Sequence, residues 1–186
     1  MAAIRIRRIQ GLSRGERIAV GIALIAIAAY FLLLRHLDGR AEIYFRDLRE
    51  NDPATYLTNL REAQGFETYL AEYAVLEGFD EFRPQTPGFL VGRWTMRESP
   101  LRLTPGQGPD TCSDPAVFEY GLYMSPEAAR TSTPVQYRLE GTDVLMRDYS
   151  DRVYPISLIA YGAQLDHLEF TPPGRESPVY AYLCGR

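Results

Sequence analysis

The stretch IAVGIALIAIAAYFLLL, residues 18–34, runs for seventeen residues without a charge between Arg17 and Arg35. As an α-helix rising about 1.5 Å per residue it would be roughly 25 Å long, slightly less than the about 30 Å hydrocarbon core of a bilayer. The flanking arginines can supply the difference, because long cationic side chains extend to the headgroups. A helix on the surface of a soluble domain needs a polar face, and this stretch has none. The sequence therefore predicts one transmembrane helix over residues 18–35.

The apolar stretch also contains the small-x-small pattern of a signal-peptide cleavage site, Ala26-Ile27-Ala28. However, the apolar run continues through YFLLL at residues 30–34, where a cleaved signal would already have become polar. This continuation favours an uncleaved signal anchor, and cleavage at Ala28 is the alternative.

Charge separates the two sides of the anchor. Residues 1–17 carry five Arg and one Glu, so they form a basic segment suited to an anionic cytoplasmic leaflet. The chain has no Lys, which is typical of a GC-rich bacterial gene, and its net charge is −4. The residues beyond the anchor are acidic on balance, and nucleic acid is therefore not an expected partner.

Two cysteines, Cys112 and Cys184, both follow the anchor. A disulfide between them would close a loop of about 70 residues and fits an oxidising compartment. Arginine counts alone leave the orientation open, with five before the anchor against four soon after it. Together with the cysteines they predict an inner-membrane protein with a cytoplasmic N-terminus and a periplasmic C-terminal domain.

Residues 36–87 are predicted to form a helical neck and linker. Residues 35–51 have the composition of an interfacial helix, which Gly39 would loosen. Asp52-Pro53 is a strong helix start, and a second helix begins near Phe66 and ends at Gly78. The apolar stripe of that second helix indicates a docking face for the next domain, and residues 79–87 are predicted to be a linker.

From residue 88 the apolar periodicity changes from 3.6 to 2, which predicts an all-β antiparallel domain over residues 88–186. Short turns and the lack of intervening helices indicate a meander that closes into a small barrel or sandwich of about eight strands. The predicted strands are 89–96, 101–103, 117–124, 135–140, 144–149, 153–161, 165–171 and 179–184. The predicted core side chains are Trp94, Phe118, Tyr120, Tyr137 and Leu139.

Gly92-Arg93-Trp94 lies on the first strand of this meander. The domain resembles the lipocalin-like, or calycin, small β-barrels, whose first strand carries Gly-x-Trp. The resemblance covers about residues 88–186 and implies an eight-stranded barrel in which Trp94 closes one end. It does not by itself imply a ligand, because a small barrel can be filled by its own side chains.

No motif indicates catalysis, a cofactor or a metal site, and no enzyme activity is expected. His167 and Asp166 are neighbours on a strand, so their side chains should point to opposite faces, and His167 is expected to be a surface or hydrogen-bonded residue. Asp143, Asp148 and Asp151 lie around one turn, but their spacing is too sparse for a calcium loop, and solvated turn residues are expected.

One face of the anchor offers small side chains for helix packing. Ala19, Ala23, Ala26 and Tyr30 fall at i, i+4, i+7 and i+11, and close approach over small residues drives association in membranes. Two functions therefore stay open. The first is a non-catalytic accessory or scaffolding subunit of a larger membrane complex, possibly respiratory or photosynthetic, that binds through the anchor and neck. The second is a tethered lipocalin-like module that binds a lipid or other small hydrophobe.

Overall fold

The computed structural model describes residues 14–101, 103–104, 107–126 and 132–184. The chain divides into two compact units, Met1–Asn51 and Asp52–Arg186. The two short helices therefore lie in the same compact unit as the β-domain. These helices belong to that unit because their apolar residues are buried within it.

The described residues of the first unit form one helix, α1 (Arg14–Asn51), of 38 residues. By length and composition α1 is suited to a membrane anchor or a signal sequence near the N-terminus. The prediction that residues 35–51 are helical agrees with α1, which passes through Gly39 without a break. A single exposed glycine costs a helix only about 1 kcal/mol, which the neighbouring helix formers offset.

The second unit opens with the helices α2 (Pro53–Gln64) and α3 (Phe66–Glu77). The Asp52 side chain caps α2 by accepting a hydrogen bond from the Thr55 N–H at 3.1 Å. Gly78 ends α3 with the left-handed backbone (φ 71°, ψ 31°) that glycine adopts without a steric penalty. Both ends agree with the sequence prediction, since they follow from local capping chemistry.

Eight antiparallel strands form a closed barrel in which each strand pairs with its sequence neighbours. Closure comes from β1, which pairs with both β2 and β8. The predicted all-β antiparallel domain is confirmed as a closed eight-stranded barrel, which is consistent with the architecture of the small calycin-like barrels. The strands are β1 (Gly92–Arg97), β2 (Ala116–Glu119), β3 (Leu122–Met124), β4 (Ser132–Glu140), β5 (Asp143–Asp148), β6 (Val153–Tyr161), β7 (Gln164–Phe170) and β8 (Val179–Leu183).

Two predicted strands are wrong. Residues 117–124 form β2, a tight turn and β3, because Tyr120 (φ 49°) and Gly121 (φ 72°) both adopt positive φ and reverse the chain. Leu101 and Leu103 lie outside the strands. The Leu101 backbone instead bonds to the Tyr182 hydroxyl, donating at 2.7 Å and accepting at 3.2 Å.

The barrel interior is filled by large side chains. Trp94, Phe118 and Tyr137 are at most 1% exposed and Leu139 is also buried, as predicted. The indole N–H of Trp94 donates to the Leu90 carbonyl at 2.9 Å. Tyr120, also predicted to be in the core, is instead 87% exposed because it lies in the turn between β2 and β3.

Residues 79–91, here termed the strap, include the predicted linker at residues 79–87, and they pair with the barrel wall. Because β3 is much shorter than β4, part of the β4 edge lacks a strand partner, and the strap occupies it. Arg83 and Tyr137 exchange backbone hydrogen bonds of 2.9 and 2.8 Å, and the Leu139 N–H donates to the Phe79 carbonyl at 2.8 Å. Paired backbone groups of this kind fix the strap against the barrel wall.

Cys112 and Cys184 form a disulfide with their Cα atoms 5.7 Å apart. The bond joins the connection between β1 and β2 to the residue that follows β8. The Cys184 N–H also donates to the Arg93 carbonyl at 2.8 Å, so the end of β8 is held by the strand ladder as well.

Candidate docking surface

Tyr120 is a large aromatic side chain presented to solvent on a rigid turn. The Gly121 N–H donates to the Thr86 hydroxyl at 3.0 Å, and the Gly121 carbonyl accepts from the Val135 N–H at 2.9 Å. The turn is therefore anchored to the strap on one side and to β4 on the other. A side chain on such an anchored turn needs little backbone ordering when a partner covers it.

Two open grooves flank Tyr120. The first has a volume of about 520 Å³ and lies between the turn and the strap, where Pro84, Thr86 and Val91 form its walls. The second has a volume of about 570 Å³ and extends across β4 and β5 to the next hairpin, where Pro134 and Tyr149 contribute to its walls. Because Tyr120 and Pro84 line both grooves, the two form one continuous surface. We refer to it as the Tyr120 surface.

An arginine on β5 lines the second groove in a fixed position. The Arg147 guanidinium lies 4.1 Å from the centre of the Phe82 ring and donates a hydrogen bond to Gln136. Arg138 also packs on Phe82, at 5.1 Å. Tyrosine and arginine are the residue types enriched at energetically important protein contacts. The composition of the Tyr120 surface is therefore typical of a protein-binding site.

Tyr149, which is 83% exposed, is presented by the hairpin between β5 and β6. Asp148 organises this hairpin by accepting hydrogen bonds from Ser150, Arg152 and the Tyr154 hydroxyl at distances from 2.7 to 3.2 Å. Desolvation is the largest single influence and raises the pKa of the Asp148 carboxyl, but the hydrogen bonds together lower the pKa by more, and the net shift is downward. Asp148 is therefore a structural residue of the turn.

Aromatic rings meet across the barrel axis. Tyr123 on β3 and Phe170 on β7 lie on opposite sides of the eight-stranded barrel, and their ring centres are 6.4 Å apart. Phe118 contacts both rings, at 5.1 and 6.0 Å. Burial raises the pKa of the nearby Tyr137 hydroxyl far above its usual range, so this group stays neutral. Side chains therefore fill this level of the barrel interior.

The expected separation of Asp166 and His167 is wrong. Ile159 pairs with His167 and Ala160 with Leu165, so Asp166 is an extra, bulged residue that interrupts the alternation of β7, and its Oδ2 lies 2.7 Å from His167 Nδ1. The second ring nitrogen lies 3.1 Å from a Glu169 carboxylate oxygen, and Tyr182 stacks on the imidazole at 5.2 Å. Both ring nitrogens thus face carboxylates, and the buried imidazole is a packed, hydrogen-bonded group.

The other predicted site residues lie in separate places. Ala19, Ala23, Ala26 and Tyr30 are exposed on α1 in the first unit, whereas the disulfide is in the second. Sequence reasoning missed the Tyr120 surface because it placed Tyr120 inside a continuous strand. The Tyr120-Gly121 pair was the available signal, since a glycine at that position permits a two-residue turn.

In comparisons with known proteins, no family model, curated protein or solved structure matches the chain.

Proposed function

We propose that this chain is a membrane-anchored, non-catalytic accessory subunit of a larger membrane protein complex. In this proposal α1 spans the inner membrane, the barrel unit is periplasmic, and the Tyr120 surface binds a partner protein. The observation that carries the proposal is the pairing of a filled barrel with an exposed aromatic surface on its wall. Tyr123 and Phe170 touch across the interior, while Tyr120 is 87% exposed.

The filled interior counts against the tethered carrier of a small hydrophobe. A barrel that carries a ligand keeps an open cavity, whereas small barrels without one are filled by their own side chains. Here rings from β2, β3 and β7 contact one another inside the barrel. Organic extraction of the purified protein should therefore yield bulk lipid only, and one reproducible bound compound would support the carrier instead.

The Tyr120 surface fits a protein partner better than a small molecule. Its grooves are open, and Tyr120, whose turn is held by the hydrogen bonds of Gly121, is flanked by Pro84 and by Arg147, which packs on Phe82. Small-molecule sites are usually enclosed, whereas protein interfaces are broad and centre on a few aromatic or arginine anchors.

Affinity purification from membranes in mild detergent tests the partner. Tyr120→Ser should remove a co-purifying protein that the wild type retains, because truncating a central aromatic anchor commonly costs 2 kcal/mol or more, at least about 30-fold in affinity. Tyr161→Ser is the matched control, since Tyr161 is 66% exposed at the end of β6 and lines neither groove. If the wild type, Tyr120→Ser and Tyr161→Ser all retain the same co-purifying proteins, the assignment of this surface is contradicted.

A fusion to alkaline phosphatase after residue 186 tests the orientation. The enzyme needs disulfides that form outside the cytoplasm, so the fusion should be active. Activity of a reporter that functions only in the cytoplasm, fused at the same point, would refute the periplasmic placement.

A further inference from the structure

The apolar residues of α1 continue beyond the predicted membrane span with a regular spacing. From Leu34 onward, apolar side chains recur at alternating intervals of three and four residues: Leu34, Leu37, Ala41, Tyr44 and Leu48. Between residues 35 and 50 the other positions are charged or polar except for Gly39, Ile43 and Phe45. These spacings are those of the a and d positions of a heptad repeat. In a coiled coil the side chains at these positions are covered by a partner helix.

The same frame extends back through the anchor. Val20, Ala23, Ile27 and Tyr30 occupy the preceding a and d positions, so the seam runs over about four heptads in one continuous helix. Two residues of the small packing face, Ala23 and Tyr30, lie on this seam. Most of its large side chains are exposed: Ile27, Leu37 and Tyr44 are each more than half exposed, whereas Leu48 is half-buried.

Continuity of α1 places the second half of this seam in water. A helix of 38 residues is about 57 Å long, whereas the hydrocarbon core is about 30 Å thick. If the span lies at residues 18–34, the following 17 residues project roughly 25 Å beyond it. Lipid can cover the first part of the seam, but the second part needs a protein partner.

We infer that α1 forms a parallel two-stranded coiled coil with a second copy of this chain. Membrane insertion gives every copy the same direction, so identical seams meet in register. In a parallel pair the g position faces the e position five residues later, which places Arg40 against Phe45 of the second copy in a favourable cation–π contact. Two heptads in water would be too short to pair alone, but confinement in the bilayer raises their effective concentration.

Cysteine cross-linking in native membranes tests this pairing, which rests on the proposed membrane insertion. Ala41→Cys and Leu37→Cys place thiols on the seam, whereas Glu42→Cys and Arg46→Cys place them on its flank and on the opposite face. Mild oxidation followed by non-reducing electrophoresis should give covalent dimers at least ten-fold more efficiently for the two seam variants. Equal cross-linking at all four positions, or no dimer at any, would overturn the coiled coil.

Carbonate extraction of the same membranes separates the two proposals. If the seam variants fail to cross-link but stay in the membrane pellet, the coiled coil is wrong and the anchored accessory subunit stands. If the protein is released by carbonate, the membrane anchor and the coiled coil both fail. Adding Ala41→Glu to Leu37→Cys should abolish the dimer by burying a charge in the seam, whereas adding Ala41→Leu should preserve it.

Discussion

Removing the disulfide is expected to destabilise the barrel unit by about 4 kcal/mol. Cys112 and Cys184 are separated by 72 residues. In the chain-entropy model a loop of that size restricts the unfolded chain by about 15 cal/mol/K, which is about 4 kcal/mol at 25 °C. A unit of about 135 residues has an unfolding entropy near 0.28 kcal/mol/K, so the expected fall in Tm is about 15 °C.

Cys112→Ser is the better variant for this measurement. Position 112 is exposed, whereas Cys184 is 6% exposed, and a hydroxyl there would add a packing loss. Thermal unfolding of the full chain in mild detergent, followed by circular dichroism, should show the decrease with Cys112→Ser and no change with the neighbouring control Thr111→Ser. A fall in Tm of less than about 3 °C would contradict this prediction, because it would mean that the cross-link does not restrict the unfolded chain.

The remaining predictions concern two turns. The lowered pKa of Asp148 stabilises the fold above the ordinary carboxyl pKa of 3.8, and this stabilisation is lost as the pH falls through the lowered value. Tm should therefore fall more steeply below pH 4 for the wild type than for Asp148→Asn, and parallel acid profiles would contradict this. Gly121→Ala should cost roughly 3 kcal/mol or more in denaturant unfolding, because its Cβ would overlap the Pro84 carbonyl oxygen. Gly141→Ala, with a similar positive φ but open space around it, should cost only about 1 kcal/mol. If the two variants lose equal unfolding free energy, the contact with the Pro84 carbonyl oxygen is not the cause.

Features that depend on local chemistry could be predicted from the sequence. Asp52 and Pro53 start a helix because the carboxylate accepts a backbone N–H and proline lacks one. Glycine at position 78 ends the next helix for an equally local reason. The alternation in β4 predicted its buried face, because one side of every barrel strand points inward.

Features that depend on distant segments could not be predicted. The strap pairs with β4 only because β3 is short, and no pattern within residues 79–91 reveals the length of β3. Asp166 meets His167 because Asp166 is an extra residue of β7 opposite the consecutive Ile159 and Ala160 of β6, and this bulge is defined only once the two strands are paired. The Tyr120 surface likewise requires the turn, the strap and β4 together.

Site-specific photo-cross-linking at position 120 tests the central claim most directly. A photoreactive phenylalanine analogue replaces Tyr120 in the full chain, and intact cells are irradiated before their membranes are analysed. If the Tyr120 surface binds a partner protein, we expect one discrete protein adduct at position 120 and none when the analogue replaces Tyr161. Equal labelling at the two positions, lipid adducts alone, or no adduct at position 120 would contradict the proposal that this surface binds a partner protein.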